Sequence, residues 1–138
     1  MHDQQTVDRL LFIYNADSGK WNAFVDSARK LFMVNGCALC SITHGMTGEK
    51  AEWQDCRETL GVEISYVHRD EMTPRLRREV GESLPAVVAE SAGRYTVLMD
   101  TEVLERCRGS VADFKGRLGL YASMKGLTFP GAALAAAK

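Results

Sequence analysis

Basic charge is not in excess. Seventeen Lys and Arg against eighteen Asp and Glu leave a formal charge of −1, so the chain has no electrostatic footprint for nucleic acid or an anionic membrane surface. The only short basic run, Arg75, Arg77 and Arg78, reads as the solvated side of a helix. No apolar run reaches membrane-spanning length, and the opening residues Met1-His2-Asp3-Gln4-Gln5 lack the basic and apolar regions of a secretory leader. The expectation is a cytoplasmic protein with no nucleic-acid or membrane partner. No internal repeat or second domain is visible, no Ser/His/Asp order or paired-carboxylate spacing rises above chance, and no phosphate-binding loop is present. Such a loop needs Gly, four residues, then Gly-Lys-Ser/Thr; here Gly19-Lys20 is followed by Trp21, and Gly48 by Glu49. Nucleotide hydrolysis is therefore rejected.

What the chain does have is 138 residues, 46% of them apolar, enough for one domain that buries its own core. It also has four cysteines, two of them close together. The stretch Gly36-Cys37-Ala38-Leu39-Cys40-Ser41-Ile42-Thr43-His44-Gly45 carries the densest chemistry. A Cys-x-x-Cys pair cycles between dithiol and disulfide, and the same pair with a nearby His can grip a soft metal. In an unexported chain, thiols, metal ligands or a redox pair are expected before a permanent disulfide framework.

Around that stretch the pattern alternates between the two periodicities. Residues 9–15 are a short apolar run stopped by a polar turn, which reads as a buried strand. Trp21, Phe24, Val25, Ala28, Leu31 and Phe32 recur at helical spacing behind an Asp17 or Ser18 cap. From Met33 to Gly48 periodicity fails, leaving a loop of about sixteen residues that is long for a compact domain. Thr47 can cap a helix carrying Trp53, Cys56 and Leu60, ended by Gly61. A strand over 62–67 closes in the charged turn His68-Arg69-Asp70-Glu71, and Thr73-Pro74 opens a short helix ended by Gly81. Residues 84–90 and 95–99 read as a hairpin about Gly93. Asp100 or Thr101 opens a helix to about Cys107, and Ser110 opens another carrying Phe114, Leu118 and Tyr121. The expected organisation is a flexible N-terminus over 1–8, one domain over 9–124, and a loose Gly/Ala-rich tail over 125–138.

This order of elements, with Cys37-x-x-Cys40 and Leu84-Pro85-Ala86, resembles the thioredoxin-like superfamily over roughly residues 9–122. The resemblance implies a three-layer α/β fold, a mixed central sheet with flanking helices and a cysteine-bearing loop. It also places Pro85 at the family's cis-proline position beside the redox pair. Two registers fit. In the first, residues 31–34 form a strand directly before Cys37; in the second, the helix runs through Phe32 and the cysteines sit in an inserted loop. The helical phase of Leu31 and Phe32 favours the second. If the strands at 10–14 and 62–67 are parallel neighbours, the connection must cross back, and either register brings the cysteines toward the carboxyl ends of the strands near His68. Cys37-Ala38-Leu39-Cys40, Thr43-His44-Gly45 and His68-Arg69-Asp70-Glu71 also resemble the loop and turn of a group of small uncharacterised bacterial proteins, some loosely labelled GTPases, a resemblance that supplies no reaction.

Three readings of the cysteines stay open. In the redox reading, Cys37 attacks and Cys40 resolves during exchange with a protein disulfide or thiol partner, needing no cofactor. His44, His68, Arg69, Asp70 and Pro85 then support or bind the substrate. In the metal reading, Cys37, Cys40 and His44 hold zinc with His68 as the fourth donor, or Asp70 in its place. In the third, the cysteines are ordinary loop residues of a non-catalytic binding domain. Cys56 and Cys107 lie on apolar helical stripes and read as core, and Trp21 and Trp53 as packing residues or the edge of a ligand cleft. His2 reads as a terminal residue without a role.

Overall fold

A computed structural model of the chain describes residues 5–15, 44–45, 48–49, 51–107 and 110–131. Its elements run β1 (Gln5–Thr6), β2 (Arg9–Tyr14), β3 (His44–Gly45), β4 (Gly48–Glu49), α1 (Ala51–Leu60), β5 (Glu63–His68) and a single 3-10 turn (Arg69–Glu71). Then come α2 (Pro74–Val80), β6 (Ala86–Ser91), β7 (Arg94–Met99), α3 (Thr101–Arg106), α4 (Val111–Met124) and β8 (Leu127–Thr128).

The sequence Arg-Leu-Leu-Phe-Ile-Tyr of β2 has five consecutive buried residues, the mark of a strand covered on both faces. It is central in a four-stranded sheet of order β5-β2-β6-β7. β2 runs parallel to β5 and antiparallel to β6, and β6 pairs antiparallel with β7, so the sheet is mixed. Because side chains alternate along a strand, Leu10, Phe12 and Tyr14 enter one core with Trp53 and Cys56 of α1, Leu104 of α3 and Phe114 and Leu118 of α4. Leu11 and Ile13 enter another, with Met72, Leu76 of α2, Ala86 and Val88. The protein is thus α/β, with helices packed against a mixed sheet. At the centre of the first core the rings of Phe12, Trp53 and Phe114 meet in tilted and edge-on contacts, with centroids 5.0 to 5.8 Å apart. All three are fully buried, and each contributes roughly 1.5–3 kcal/mol of burial before ordering entropy is subtracted.

The helix boundaries follow capping chemistry. Thr73 Oγ1 accepts from the Leu76 N–H at 3.2 Å with Pro74 at the first helical position, and Asp100 Oδ1 accepts from Val103 N–H at 2.9 Å. Ser110 Oγ accepts from Asp113 N–H at 3.1 Å to open α4. The β6–β7 turn places Ala92 at φ 51° and Gly93 at φ 75°, the sense of twist that suits a two-residue hairpin. Asp8 Oδ2 accepts from Ala92 N–H at 3.0 Å, which steadies a residue that is not glycine in that conformation. Thr47, expected to cap α1, lies outside the described residues, as do the choice between strand and helix at 31–34 and the helical stripe from Trp21 to Phe32.

The sequence leads one to expect residues 1–8 and 125–138 to be loose, and the described part of these ends, 5–8 and 125–131, departs from that. Gln5–Thr6 pairs in parallel with Leu127–Thr128, and Val7 is 1% exposed; residues 1–4 and 132–138 lie outside the described residues. The reason is local bulk within a small-residue background: Leu127 and Phe129 are buried in or beside the first core. Gly131 then sits on the end of α1, where a Cβ would run into the Thr59 carbonyl oxygen and come within 2.8 Å of the Leu60 carbonyl. Composition averaged over the tail hides these anchors.

Candidate functional site

The sheet register gathers several of the expected site residues at one edge. Tyr14, the last residue of β2, pairs with His68, the last of β5. Ile13 pairs with Ala86, the first residue of β6, so Pro85 enters the sheet beside Tyr14. Pro85 is buried, its bond to Leu84 is cis, and its carbonyl accepts from Thr101 Oγ1 at 2.9 Å. Asn15, the residue after β2, accepts through its Oδ1 from Arg69 Nη1 at 3.3 Å. The parallel β2–β5 pairing requires the connection between them to cross back. That connection carries Cys37 and Cys40.

His68 is the best-defined side chain of the edge. Glu71 Oε1 accepts from the His68 backbone N–H at 2.9 Å and lies 2.5 Å from its Nδ1. In a 3-10 turn residues i and i+3 eclipse, which is why the Glu three positions on reaches the ring. Those two contacts, the backbone one first, hold the Glu71 carboxyl below the usual carboxylate range. The His68 ring also lies near Tyr14, tilted and 6.4 Å between centroids, and Tyr14 stacks on Tyr66 at 6.1 Å. Trp53 Nε1 and Arg57 Nη1 both donate to the Tyr66 hydroxyl, at 3.3 and 3.4 Å. A ladder of aromatic rings therefore runs from the core to His68. Arg77 Nη2 donates to the Arg69 carbonyl at 3.1 Å and braces the turn from α2.

Of the expected site residues, His68, Arg69, Asp70 and Pro85 are thus placed at or next to one edge. Cys37 and Cys40 lie outside the described residues; His44 is described only as backbone, paired with Glu49. Among the described residues no group of three His, Cys, Asp or Glu stands close enough to hold a metal ion. The carboxylate that engages His68 is Glu71, whereas Asp70, expected as a partner or ligand, is exposed in the turn. Tyr14, Asn15 and Thr101 also belong to the edge without a sequence signal: each acquires its place from strand register. The signal for Glu71 was present, as a His and a Glu three apart at a strand end. Trp53 is fully buried, so it is a core residue and not the rim of a cleft.

Cys56 and Cys107 behave as core. They are 4% and 2% exposed. Burial pushes the Cys56 thiol up, and burial reinforced by Asp113 pushes Cys107 to about 11. Neither is fitted to be a nucleophile at neutral pH. No described helix is long and apolar enough to cross a membrane.

Compared with family models, with curated proteins and with solved structures, the chain matches none.

Proposed function

We propose that the chain is a thiol-based redox protein with a thioredoxin-like, three-layer fold, exchanging thiols and disulfides through Cys37 and Cys40. The observation that supports this reading is the sheet order β5-β2-β6-β7, one parallel pair followed by two antiparallel ones. It brings Pro85 and His68 to the edge from which the cysteine-bearing connection departs. In the proposed reaction the Cys37 thiolate attacks one sulfur of a partner's disulfide, forming a mixed disulfide and releasing the other sulfur as a thiolate. Cys40, deprotonated, then attacks the Cys37 sulfur. The second partner thiolate leaves, and the electron pair gained by the partner is matched by the new Cys37–Cys40 disulfide. In this reading His44 and His68 supply positive charge or take up a proton near the thiol, Arg69 and Asp70 contact the partner, and Pro85 shapes the groove. Mild oxidation followed by peptide mapping tests it: loss of two free thiols with a Cys37–Cys40 link is expected, and unchanged thiol reactivity overturns it.

A second reading has one observation in its favour. The Glu71 carboxylate on His68 Nδ1 is the arrangement that orients metal-binding imidazoles, which would leave Nε2 to face a zinc ion held with Cys37, Cys40 and His44 in a non-catalytic binding domain. Chelator-free protein should then carry near-stoichiometric zinc that Cys40→Ser abolishes. Metal-free, well-folded protein excludes it.

A further inference from the structure

The four-stranded sheet has two edges among the described residues, β5 and β7, and β7 is the more strongly defended. At β7, Arg94 opens the strand, Arg75 lies over the Tyr95 ring at 4.7 Å and donates to the Gly93 carbonyl, and an irregularity at Val87/Val88 breaks the pairing with β6. Such charges and irregularities discourage a further strand from pairing. β5 has no such irregularity and no Arg or Lys within the strand. Its Glu-Ile-Ser-Tyr-Val-His sequence pairs without interruption to β2 over six residues and contains no Pro, no Lys and a single formal charge, Glu63. Tyr66 stands at its middle, 37% exposed, held by the Trp53 and Arg57 bonds and by contact with Phe12 and Tyr14.

We propose that β5 is an interaction surface for a second copy of this chain, the two β5 strands pairing antiparallel about a two-fold axis perpendicular to the sheet. Such an axis keeps each side chain on its own face, so directly opposed residues must have the same parity. Centred on Tyr66, the pairing sets Tyr66 against its symmetry mate, Ile64 against His68, Ser65 against Val67 and, just past the strand end, Glu63 against Arg69. Two symmetry-related opposite-charge contacts and an aromatic pair result. Centred on Ser65, it would oppose Glu63 to Val67 and give no charge complement. The register on Tyr66 is therefore the one chosen. Glu63 already lies across from Arg9 in β2 and Arg69 reaches Asn15, so both charges sit on built elements. An edge of six residues buries little area, so the dimer is a concentration-dependent equilibrium.

The test is sedimentation of the full chain under reducing conditions over a concentration series, with Glu63→Arg, Arg69→Glu and the double exchange. Wild type should show a monomer–dimer equilibrium. Each single exchange turns two attractive contacts repulsive and should weaken the dimer on the order of 30-fold; the double exchange should restore it. A wild type that stays monomeric at every concentration overturns the proposal, as does a dimer indifferent to both single exchanges. Should a single exchange fail to fold, hydrogen exchange on wild type decides. Protection of the amides of residues 63–68 must rise with dimer fraction, and flat protection while the sample dimerises assigns the interface elsewhere.

Discussion

The sharpest prediction concerns Cys107. It is 2% exposed and its thiol is pushed up to about 11, mainly by burial. An ordinary thiol near 8.5 is about a quarter thiolate at pH 8, whereas one at about 11 is about 0.1% thiolate, a deficit of about 200-fold before any steric protection. Alkylation of the native protein at pH 8, followed site by site in a peptide map, should therefore label Cys107 on the order of 100-fold more slowly than the same residue in denatured protein. Cys56, 4% exposed and also raised by burial, should lag with it. The pH dependence separates two routes to the slow rate. If the thiol reacts in place, moving from pH 8 to pH 10 should raise the native rate about 90-fold, because the thiolate fraction is still climbing; reaction through an unfolded form should raise it only about 4-fold. A native Cys107 rate within tenfold of the denatured one would refute the burial on which the reasoning rests. In the same time course the proposed redox pair, Cys37 and Cys40, should label first.

Other outcomes follow from the packing. Phe114→Ala removes a fully buried ring from the Phe12–Trp53–Phe114 cluster and should cost about 3–5 kcal/mol in denaturant unfolding; a loss under 1 kcal/mol would mean the cluster is not the centre of the core. Gly131→Ala places a methyl against the Thr59 and Leu60 backbone, so it should lower the thermal midpoint, whereas Gly116→Ala, whose added Cβ meets nothing, should not. Glu71→Gln tests the His68 contact: because the folded-state carboxyl lies below its unfolded value, the stabilisation is present at neutral pH and fades as pH falls through that lowered value. Wild type and variant should thus differ by a few tenths of a kcal/mol at pH 7, small because the Glu71 side chain is 48% exposed, and converge in acid.

Where periodicity and caps act locally, the sequence was a good guide to the structure. The apolar run of β2, the Thr73-Pro74 and Ser110 helix starts, and the hairpin at Gly93 all depend on neighbours within a few residues, and each stands as expected. The parallel pairing of β2 with β5, the condition on which the crossing connection depends, is present as well. Long-range placement was less visible. Nothing in the short segments Gln5–Thr6 and Leu127–Thr128 announces a strand, because two residues carry no period and their partner is the other end of the domain. Likewise Tyr14, Asn15 and Thr101 reach the candidate edge only through register. The metal and redox alternatives for Cys37, Cys40 and His44 turn on side chains outside the described residues.

The pairing of β1 with β8 has a consequence for the order of events during synthesis. Gln5 is made 122 residues before its partner Leu127. Until then β1 has no strand to join, and closing so wide a loop favours its capture late, after the local contacts of β6 with β7 have formed. The nascent chain should therefore carry an unsealed core until β8 is made, with β1 docking after elements that follow it in sequence. A stalled chain ending before Leu127 should be more sensitive to protease at its N-terminal segment than the released protein.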